Sequence, residues 1–275
     1  MAIALSLLSS LMWGASDFVG GLISKRRPAL VVVGWSASLG LLMATVAVAV
    51  TEPWHGPYGW VPWGIAAGAS GVLGLTCYYV ALASGTMGVV APVTSLGVVV
   101  PVLIGLAMGE QPAALVWVGI GVAIAGIVLT SGPEFSGGAS ARPVVIAAVA
   151  GVFFGIFFVC ADQGAEDSPL LTLWTMRAAV TTGFMGLALA RRTTGGIDAR
   201  DFGVIALVAA GDLGANLTFA IASTKGFVSI TSVLSSLFPV VTVLLARIVL
   251  QERLRRVQIL GVAVTMLGVA FISFG

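Results

Sequence analysis

The stretch EQPAALVWVGIGVAIAGIVLTSG, residues Glu110–Gly132, recurs 142 positions later as ERLRRVQILGVAVTMLGVAFISF, residues Glu252–Phe274. The aligned pairs include a leading glutamate and two evenly spaced glycines: Glu110 with Glu252, Gly119 with Gly261, and Gly126 with Gly268. With small gaps, the match extends towards the start of each copy and pairs Gly14 with Gly155 and Pro28 with Pro169. The chain therefore contains two copies of one unit.

The composition is typical of a membrane protein. Apolar residues make up 59% of the chain, charged residues only 9%, and the mean hydropathy is +1.10. A soluble domain carries about 25% charged residues, so this chain lacks the polar surface that a soluble fold needs. Most of the chain divides into apolar stretches of about 20 residues, the length that crosses a hydrocarbon core.

These stretches predict about ten membrane helices, five in each copy of the unit. They run roughly over residues 2–24, 29–51, 60–83, 87–108, 113–131, 143–161, 169–190, 202–223, 227–250 and 256–274. A unit with an odd number of crossings enters the membrane in opposite directions in its two copies, which makes an inverted repeat. We therefore predict an all-α integral membrane fold of two inverted five-helix repeats, residues 1–132 and 143–275, joined by a linker over 133–142.

The basic residues predict an orientation. Loops that follow odd-numbered predicted helices hold ten Lys and Arg residues, whereas loops that follow even-numbered ones hold only Lys225. The positive-inside rule then places the odd loops in the cytoplasm and both termini outside. The N-terminal stretch lacks the basic start of a cleavable signal, so we expect it to be the first helix of a multi-pass protein of the cell (inner) membrane.

Several other classes of protein are not indicated. Cys77 and Cys160 are too few for a disulfide framework or a metal site, and we expect them to be packing residues. The chain has neither a Gly-rich phosphate loop with a lysine nor a basic stripe for nucleic acid. Asp212 follows Ala209-Ala210-Gly211, which is not the Gly-x-Gly-Asp pattern of intramembrane aspartyl proteases. We therefore expect no enzymatic activity, no cofactor and no metal.

Three ionisable residues lie within predicted membrane helices: Asp17, Arg177 and Asp212. Such groups cost roughly 2.5–3.5 kcal/mol each on insertion scales, and they mark either a structural pair or a pathway. Counted along their helices, Arg177 and Asp212 fall at nearly the same depth, so they can form an ion pair. The pair either neutralises two buried charges or binds a proton or a charged group of a substrate. Asp17 is shallower, which leaves a helix-end role open.

Polar residues near these charges suggest a cavity. Ser6, Ser10, Trp13 and Asp17 share one helical face, and an aromatic ring beside a carboxylate suits an organic ammonium group. Packing is the alternative role for Trp13, and a serine or threonine can instead bond its own helix backbone. The candidate substrate-binding residues are Trp13, Asp17, Tyr78, Arg177, Asp212, Asn216 and Ser235.

Two short motifs carry a resemblance to a known family. The segment Leu11–Phe18, LMWGASDF, resembles the Trp-Gly-small-x-Phe start of the EamA family, within the drug/metabolite transporter superfamily. The family also has a Gly-Glu-Arg element after the fourth helix of each unit, and this chain resembles it at Gly109-Glu110 and at Gln251-Glu252-Arg253. The first copy has Gln where the family has Arg, and the second copy has Gln where the family has Gly. The resemblance covers nearly the whole chain.

The resemblance implies a ten-helix bundle around a central cavity, lined mainly by the first, third, fourth, sixth, eighth and ninth helices. Members of the family move small metabolites, often amino acids or related compounds, and commonly outward. The family orientation has both termini in the cytoplasm, with a basic loop after the second helix. Here the loop Glu52–Gly59 has no Lys or Arg, so the charge bias and the family orientation disagree.

We therefore expect a secondary transporter, an exporter or a facilitator, of small polar metabolites such as amino acids. It would work by alternating access, through rocking of the two units around a site near the middle of the membrane. The alternatives are a membrane sensor that transports nothing and a lipid flippase. The expected partners are a small-molecule substrate and membrane lipids, with no nucleic acid, and the protein would be a monomer or a homodimer.

Overall fold

The computed structural model describes residues 1–51, 58–85, 87–131, 141–193, 195–251 and 256–274, and in these ranges the fold is built of α-helices. The helices are α1 (Ala2–Ser24), α2 (Ala29–Thr51), α3 (Trp60–Ser84), α4 (Met87–Ser95), α5 (Val99–Ala107), α6 (Ala114–Ser131), α7 (Ala141–Ala165), α8 (Pro169–Arg191), α9 (Ala199–Ser223), α10 (Val228–Ser235), α11 (Phe238–Val249) and α12 (Arg256–Phe274). A 3₁₀ turn, Leu96–Val98, joins α4 to α5. The all-helical part of the prediction is confirmed.

Six helical stretches in the described ranges are long and apolar enough to cross a membrane. They are Ala2–Ser24, Ala29–Thr51, Trp60–Ser84, Arg142–Ala165, Ala199–Ser223 and Val228–Val249. Helices α7 and α9 extend beyond the predicted ranges 143–161 and 202–223, because the polar residues near their ends continue the helix. The count of ten crossings stays a prediction.

The fourth predicted helix of each copy is broken near its middle. In each case the break lies just before a proline: Leu96–Val98 precedes Pro101, and Ser236-Leu237 precedes Pro239. Proline has no backbone N–H, so the carbonyl four residues earlier loses its usual hydrogen bond and the helix cannot continue regularly. The two breaks occupy corresponding positions in the repeat.

The two copies interleave in space. Helix α1 packs mainly on α9, and α7 packs mainly on α3, so the first helix of each copy lies against the third helix of the other. On the symmetry axis of this arrangement, α2 packs on α8 and α6 packs on α12. The chain therefore forms one bundle with a pseudo-twofold relation between its halves.

Two equivalent glycines bring the copies into backbone contact. A Cβ atom added at Gly14 of α1 would lie 2.6 Å from the carbonyl oxygen of Phe238, and one at Gly155 of α7 would lie 2.5 Å from that of Gly97. Both distances are too short for any side chain, so only glycine permits this approach. Membrane helices associate through such small residues because lipid supplies no hydrophobic drive between them.

The same symmetry governs two hydrogen bonds between the copies. Ser235 of α10 donates to the carbonyl oxygen of Ser6 in α1 at 3.4 Å, and Thr94 of α4 donates to that of Ala147 in α7 at 3.2 Å. Each bond ties the fourth helix of one copy to the first helix of the other. Ser235 thus has a structural contact, away from the candidate cavity residues.

A charged cluster joins the copies at the membrane surface that holds the loop between α1 and α2. Arg27 lies 3.2 Å from Asp198 and 2.5 Å from Asp201. Asp198 caps α9 by accepting bonds from the backbone N–H groups of Arg200 and Asp201. The hydrogen bond from the backbone of Asp201 contributes most to lowering the pKa of Asp198, and the bond from Arg200 and the nearby arginine charges lower it further. The cap is therefore present at neutral pH and is lost as the pH falls through that lowered pKa.

We predict that Gly155→Ala lowers the melting temperature of the purified protein in detergent. The added methyl group must displace the backbone of Gly97 or the side chain of Val100, and overpacking of this kind costs about 1–3 kcal/mol. Gly183→Ala is the matched control, since a Cβ there meets nothing within 4 Å. The close-approach explanation is wrong if the two variants melt alike.

Candidate functional site

A cavity with a volume of about 70 Å³ lies between the helices near their middles. The lining residues come from α1, α2, α3, α7, α8, α9 and α11: Trp13, Asp17, Val33, Ala37, Gly68, Gly71, Val72, Leu75, Phe154, Phe157, Phe158, Met176, Arg177, Val180, Asp212, Asn216 and Phe238. Five of the seven predicted site residues are among them.

The Asp212 carboxylate is the centre of a buried polar network. Its Oδ1 accepts a hydrogen bond from the indole Nε1 of Trp13 at 3.0 Å and another from Nδ2 of Asn216 at 2.9 Å. Its Oδ2 lies 2.6 Å from Nη2 of Arg177. Both oxygens are therefore engaged, and the ion pair that the equal depths of Arg177 and Asp212 predict is present.

The side chains of this network come from three helices, α1, α8 and α9. Asn216 lies one turn after Asp212 on α9 and also donates to the backbone carbonyl of Asp212 at 2.6 Å. Arg177 reaches across from α8 and passes beside Gly40 of α2, where an added Cβ would lie 3.4 Å from the arginine Cδ and Nε atoms. The small residue on α2 leaves room for the guanidinium group between the helices.

Arg177 retains donors that the network does not use. Its Nε and Nη2 form no hydrogen bond of acceptable geometry with any described residue, although Nη2 contacts the Asp212 carboxylate. The residue is only 6% exposed and lines the cavity. Buried donors are almost always paired, so unpaired N–H groups of this kind are unusual in a protein interior.

Asp17 is the other charged residue of the cavity wall. It is 5% exposed, and among the described residues it forms no ion pair. The hydroxyl of Tyr79 faces it from α3, without a hydrogen bond of good geometry. Asp212 is close enough to repel it. A carboxylate buried in this way needs either a proton or a cation, because an isolated charge is costly at low dielectric.

Trp13 has a positioning role. Its indole N–H is donated to Asp212, and its ring packs edge-on against Phe157 and Phe158, with centroids 6.1 and 5.6 Å apart. The edge of the indole therefore fixes the carboxylate, while its face belongs to an aromatic cluster that includes Phe219. Trp13 therefore has the packing role that the sequence allows and also holds the Asp212 carboxylate, while its contact with an organic ammonium group stays a prediction.

Two predicted site residues lie outside the cavity wall. Tyr78 is fully buried and packs against Phe154 and Phe238, with ring centroids 5.8 Å apart in each case. Ser235 is engaged with α1, as described above. The sequence predicts both as site residues because their hydroxyl groups lie in membrane helices. In the structure both side chains pack around the site instead of lining it.

The aromatic side of the cavity was missed by the sequence analysis. Phe154 and Phe158 of α7 correspond, 141 positions later, to Trp13 and Asp17 of α1, and all four residues line the cavity. The repeat itself was therefore the signal that could have found them. The cavity has a polar wall from α1, α8 and α9, and an apolar wall that includes Phe154, Phe158 and Phe238.

Apolar helices long enough to span a membrane, in two interleaved copies around a central cavity with buried charges, define a membrane transporter fold. The model of the EamA-like transporter family matches residues 1–132 and again residues 141–274. The chain belongs to this family, and its architecture is that of the drug/metabolite transporter superfamily.

Comparison with solved structures agrees with this fold. One crystal structure, at 19% sequence identity, matches with a TM-score of 0.75 over 99% of this chain and 98% of that one. A comparison with curated protein sequences gives no match.

We predict that Arg177→Met destabilises the protein more than the double variant Arg177→Met/Asp212→Asn does. Removing one partner of a buried ion pair leaves an uncompensated charge, at a cost of about 3–5 kcal/mol, whereas removing both avoids that cost. Thermal unfolding in detergent measures the two losses. Equal or additive losses would show that the two groups are not energetically coupled.

Proposed function

We propose that the protein is a secondary transporter, an exporter or a facilitator, of small zwitterionic metabolites such as amino acids. The observation that supports this most directly is that one cavity holds a carboxylate without an ion-pair partner and an arginine with unused N–H donors. Asp17 has no ion-pair partner among the described residues, and Arg177 has N–H donors that no described residue uses. A molecule with one ammonium and one carboxylate group satisfies both.

In this proposal Asp17 binds the ammonium group and Arg177 binds the carboxylate. A charged substrate loses hydrating water when it enters the cavity, and an ion pair with a charged side chain compensates for that loss. The guanidinium fork presents its donors in a planar arrangement that suits a carboxylate. Asp212 is then a positioning residue, since its two oxygens already accept from Trp13 and Asn216 and contact Arg177.

The apolar wall favours a substrate with an apolar part. Phe154, Phe157, Phe158 and Phe238 line the same cavity as the charged residues. Aromatic side chains bury a large apolar area and so contribute strongly to binding. A molecule that is charged at one end and apolar at the other matches both walls, which supports a small amphipathic metabolite over a fully hydrophilic one.

The mechanism that we propose is alternating access around this cavity. Discontinuous helices at corresponding positions in the two repeats are typical of transporters and lie near their substrate sites. Here the breaks before Pro101 and Pro239 fit that pattern, and Phe238 beside the second break lines the cavity. Because the copies interleave, we infer that the moving bodies combine helices from both copies.

We predict that Asp17→Asn abolishes substrate binding while the protein stays folded. Neutral asparagine keeps the size of the side chain but cannot neutralise an ammonium group. The measurement is the shift in melting temperature of the purified protein against a panel of amino acids, polyamines, nucleosides, organic cations and phospholipids, since a ligand that binds the folded state stabilises it.

The matched control is Asp162→Asn, which removes a carboxylate of α7 that does not line the cavity. This variant should bind the same compounds as the wild-type protein. Unchanged binding in Asp17→Asn would remove Asp17 from the site. Hits confined to phospholipids would favour a lipid flippase, and binding without flux into liposomes would favour a sensor.

We also predict the orientation from the charge bias, with both termini outside the cell. In a background without Cys77 and Cys160, Lys225→Cys should react with a membrane-impermeant thiol reagent on intact cells, whereas Arg26→Cys should react only after lysis. Both native residues are exposed, so access to the reagent depends on the side of the membrane. The reverse pattern would support the family orientation instead.

A further inference from the structure

Two serines of α10 and a third in the break directly after it have no partner for their hydroxyl groups among the described residues. Ser229, Ser232 and Ser236 are at most 1% exposed, and no described residue forms a hydrogen bond with their side chains. Serine in a helix ordinarily bonds a carbonyl of the preceding turn. Other serines of this chain do so: Ser6, Ser10, Ser16, Ser38, Ser70 and Ser84.

The three hydroxyls lie on one face of the helix. Positions 229, 232 and 236 are separated by three and four residues, which places them on adjacent turns of the same face. The row begins at the first turn of α10 and ends at the break before Phe238, which lines the cavity. Ser24 and Ser36 also lack partners, but each is the only such serine on its own helix.

The outer end of the row lies at the membrane face that holds the N-terminus. A Cβ added at Gly226, just before α10, would lie 3.1 Å from the Cβ of Ala2. The row therefore runs from this face, which we call the N-terminal face, towards Phe238 in the cavity wall. The opposite face carries the Arg27 cluster.

The start of α10 is held by a residue from the other copy. The Glu110 carboxylate accepts hydrogen bonds from the backbone N–H groups of Val228 at 2.7 Å and Ser229 at 3.3 Å. It folds closely over Gly105, where an added Cβ would lie 2.3 Å from Oε2. A carboxylate at a helix N-terminus satisfies free donors and the helix dipole, and no side chain of α10's own N-cap residue does so.

We propose that this serine face of α10 lines a water-filled path from the N-terminal face to the cavity, closed in the present conformation and opened when α10 leaves the Glu110 carboxylate. The path would conduct water and a hydrated polar solute. The proposal rests on the alternating access proposed above, but it does not depend on the substrate class or on Asp17.

The physical reason is the difference in hydration between the two states. In the closed state three buried hydroxyls lack partners, which is unfavourable. Water reaches them when the face opens, and this gain offsets the loss of the two bonds to Glu110. The open state is therefore accessible from the closed one, as a transport cycle requires.

Cysteine accessibility tests the proposal. In a background with Cys77→Ala and Cys160→Ala, Ser232→Cys is reconstituted in liposomes and treated with a membrane-impermeant methanethiosulfonate that carries a trimethylammonium group. Serine and cysteine are similar in size, so the fold should be retained, and melting in detergent checks this. Intact-protein mass measures the rate of modification.

Two reference variants set the scale. Lys225→Cys is exposed on the N-terminal face. Ser9→Cys replaces a serine that is as buried as Ser232 but donates to the carbonyl of Ala215 at 2.8 Å. We expect Ser232→Cys to react from the same side as Lys225→Cys, at roughly 0.1–10% of its rate, the usual population of a minor conformation. Ser9→Cys should react far more slowly.

The role of Glu110 is tested in the same assay. Glu110→Ala removes the acceptor for α10, so we expect it to raise the modification rate of Ser232→Cys but not that of Ser9→Cys. The proposal is overturned if Ser232→Cys reacts no faster than Ser9→Cys, or if Glu110→Ala leaves its rate unchanged. Modification needs no substrate, so failure of the Asp17 prediction would leave this result intact and remove only the proposed substrate class.

Discussion

The arrangement of the cavity depends on the Asp212 carboxylate. It joins three helices, because it accepts from Trp13 of α1, pairs with Arg177 of α8 and lies on α9 beside Asn216. Within a membrane an ionised group without a partner is costly, so the pair fixes the positions of these helices relative to one another. Asp212 compensates the charge of Arg177, whereas Asp17 has no ion-pair partner among the described residues.

The two copies share their contacts but differ in their chemistry. Gly14 and Gly155 make equivalent close approaches to the fourth helix of the opposite copy. At the neighbouring positions Trp13 is replaced by Phe154 and Asp17 by Phe158. The packing that forms the bundle is thus kept in both copies, while the cavity has become polar on one side and apolar on the other. This asymmetry supports the amphipathic substrate that we propose.

Much of the fold could be predicted from the sequence, because a membrane helix has a clear length and hydropathy. The ion pair was predictable as well, since Arg177 and Asp212 lie at similar depths on helices of known rise. The aromatic wall was not, because phenylalanine is as common on lipid-facing and packing surfaces as in a cavity. Tyr78 and Ser235 were assigned to the site on polarity alone, and tertiary packing decides where such hydroxyls point.

The interleaving of the copies also limits how the protein can move. Helix α1 packs on α9 and α11, and α7 packs on α3 and α4, so separating the two copies as rigid blocks would break the most extensive contacts in the bundle. In the alternating access proposed above, motion around the breaks before Pro101 and Pro239 would leave the contacts of α1 with α9 and of α7 with α3 in place. The breaks are related by the pseudo-twofold axis, and α10, whose start is bound by Glu110, begins at the N-terminal face. By the same symmetry α4 begins at the opposite face, so each face has its own short helix, and the proposed cycle would open one while the other stays closed.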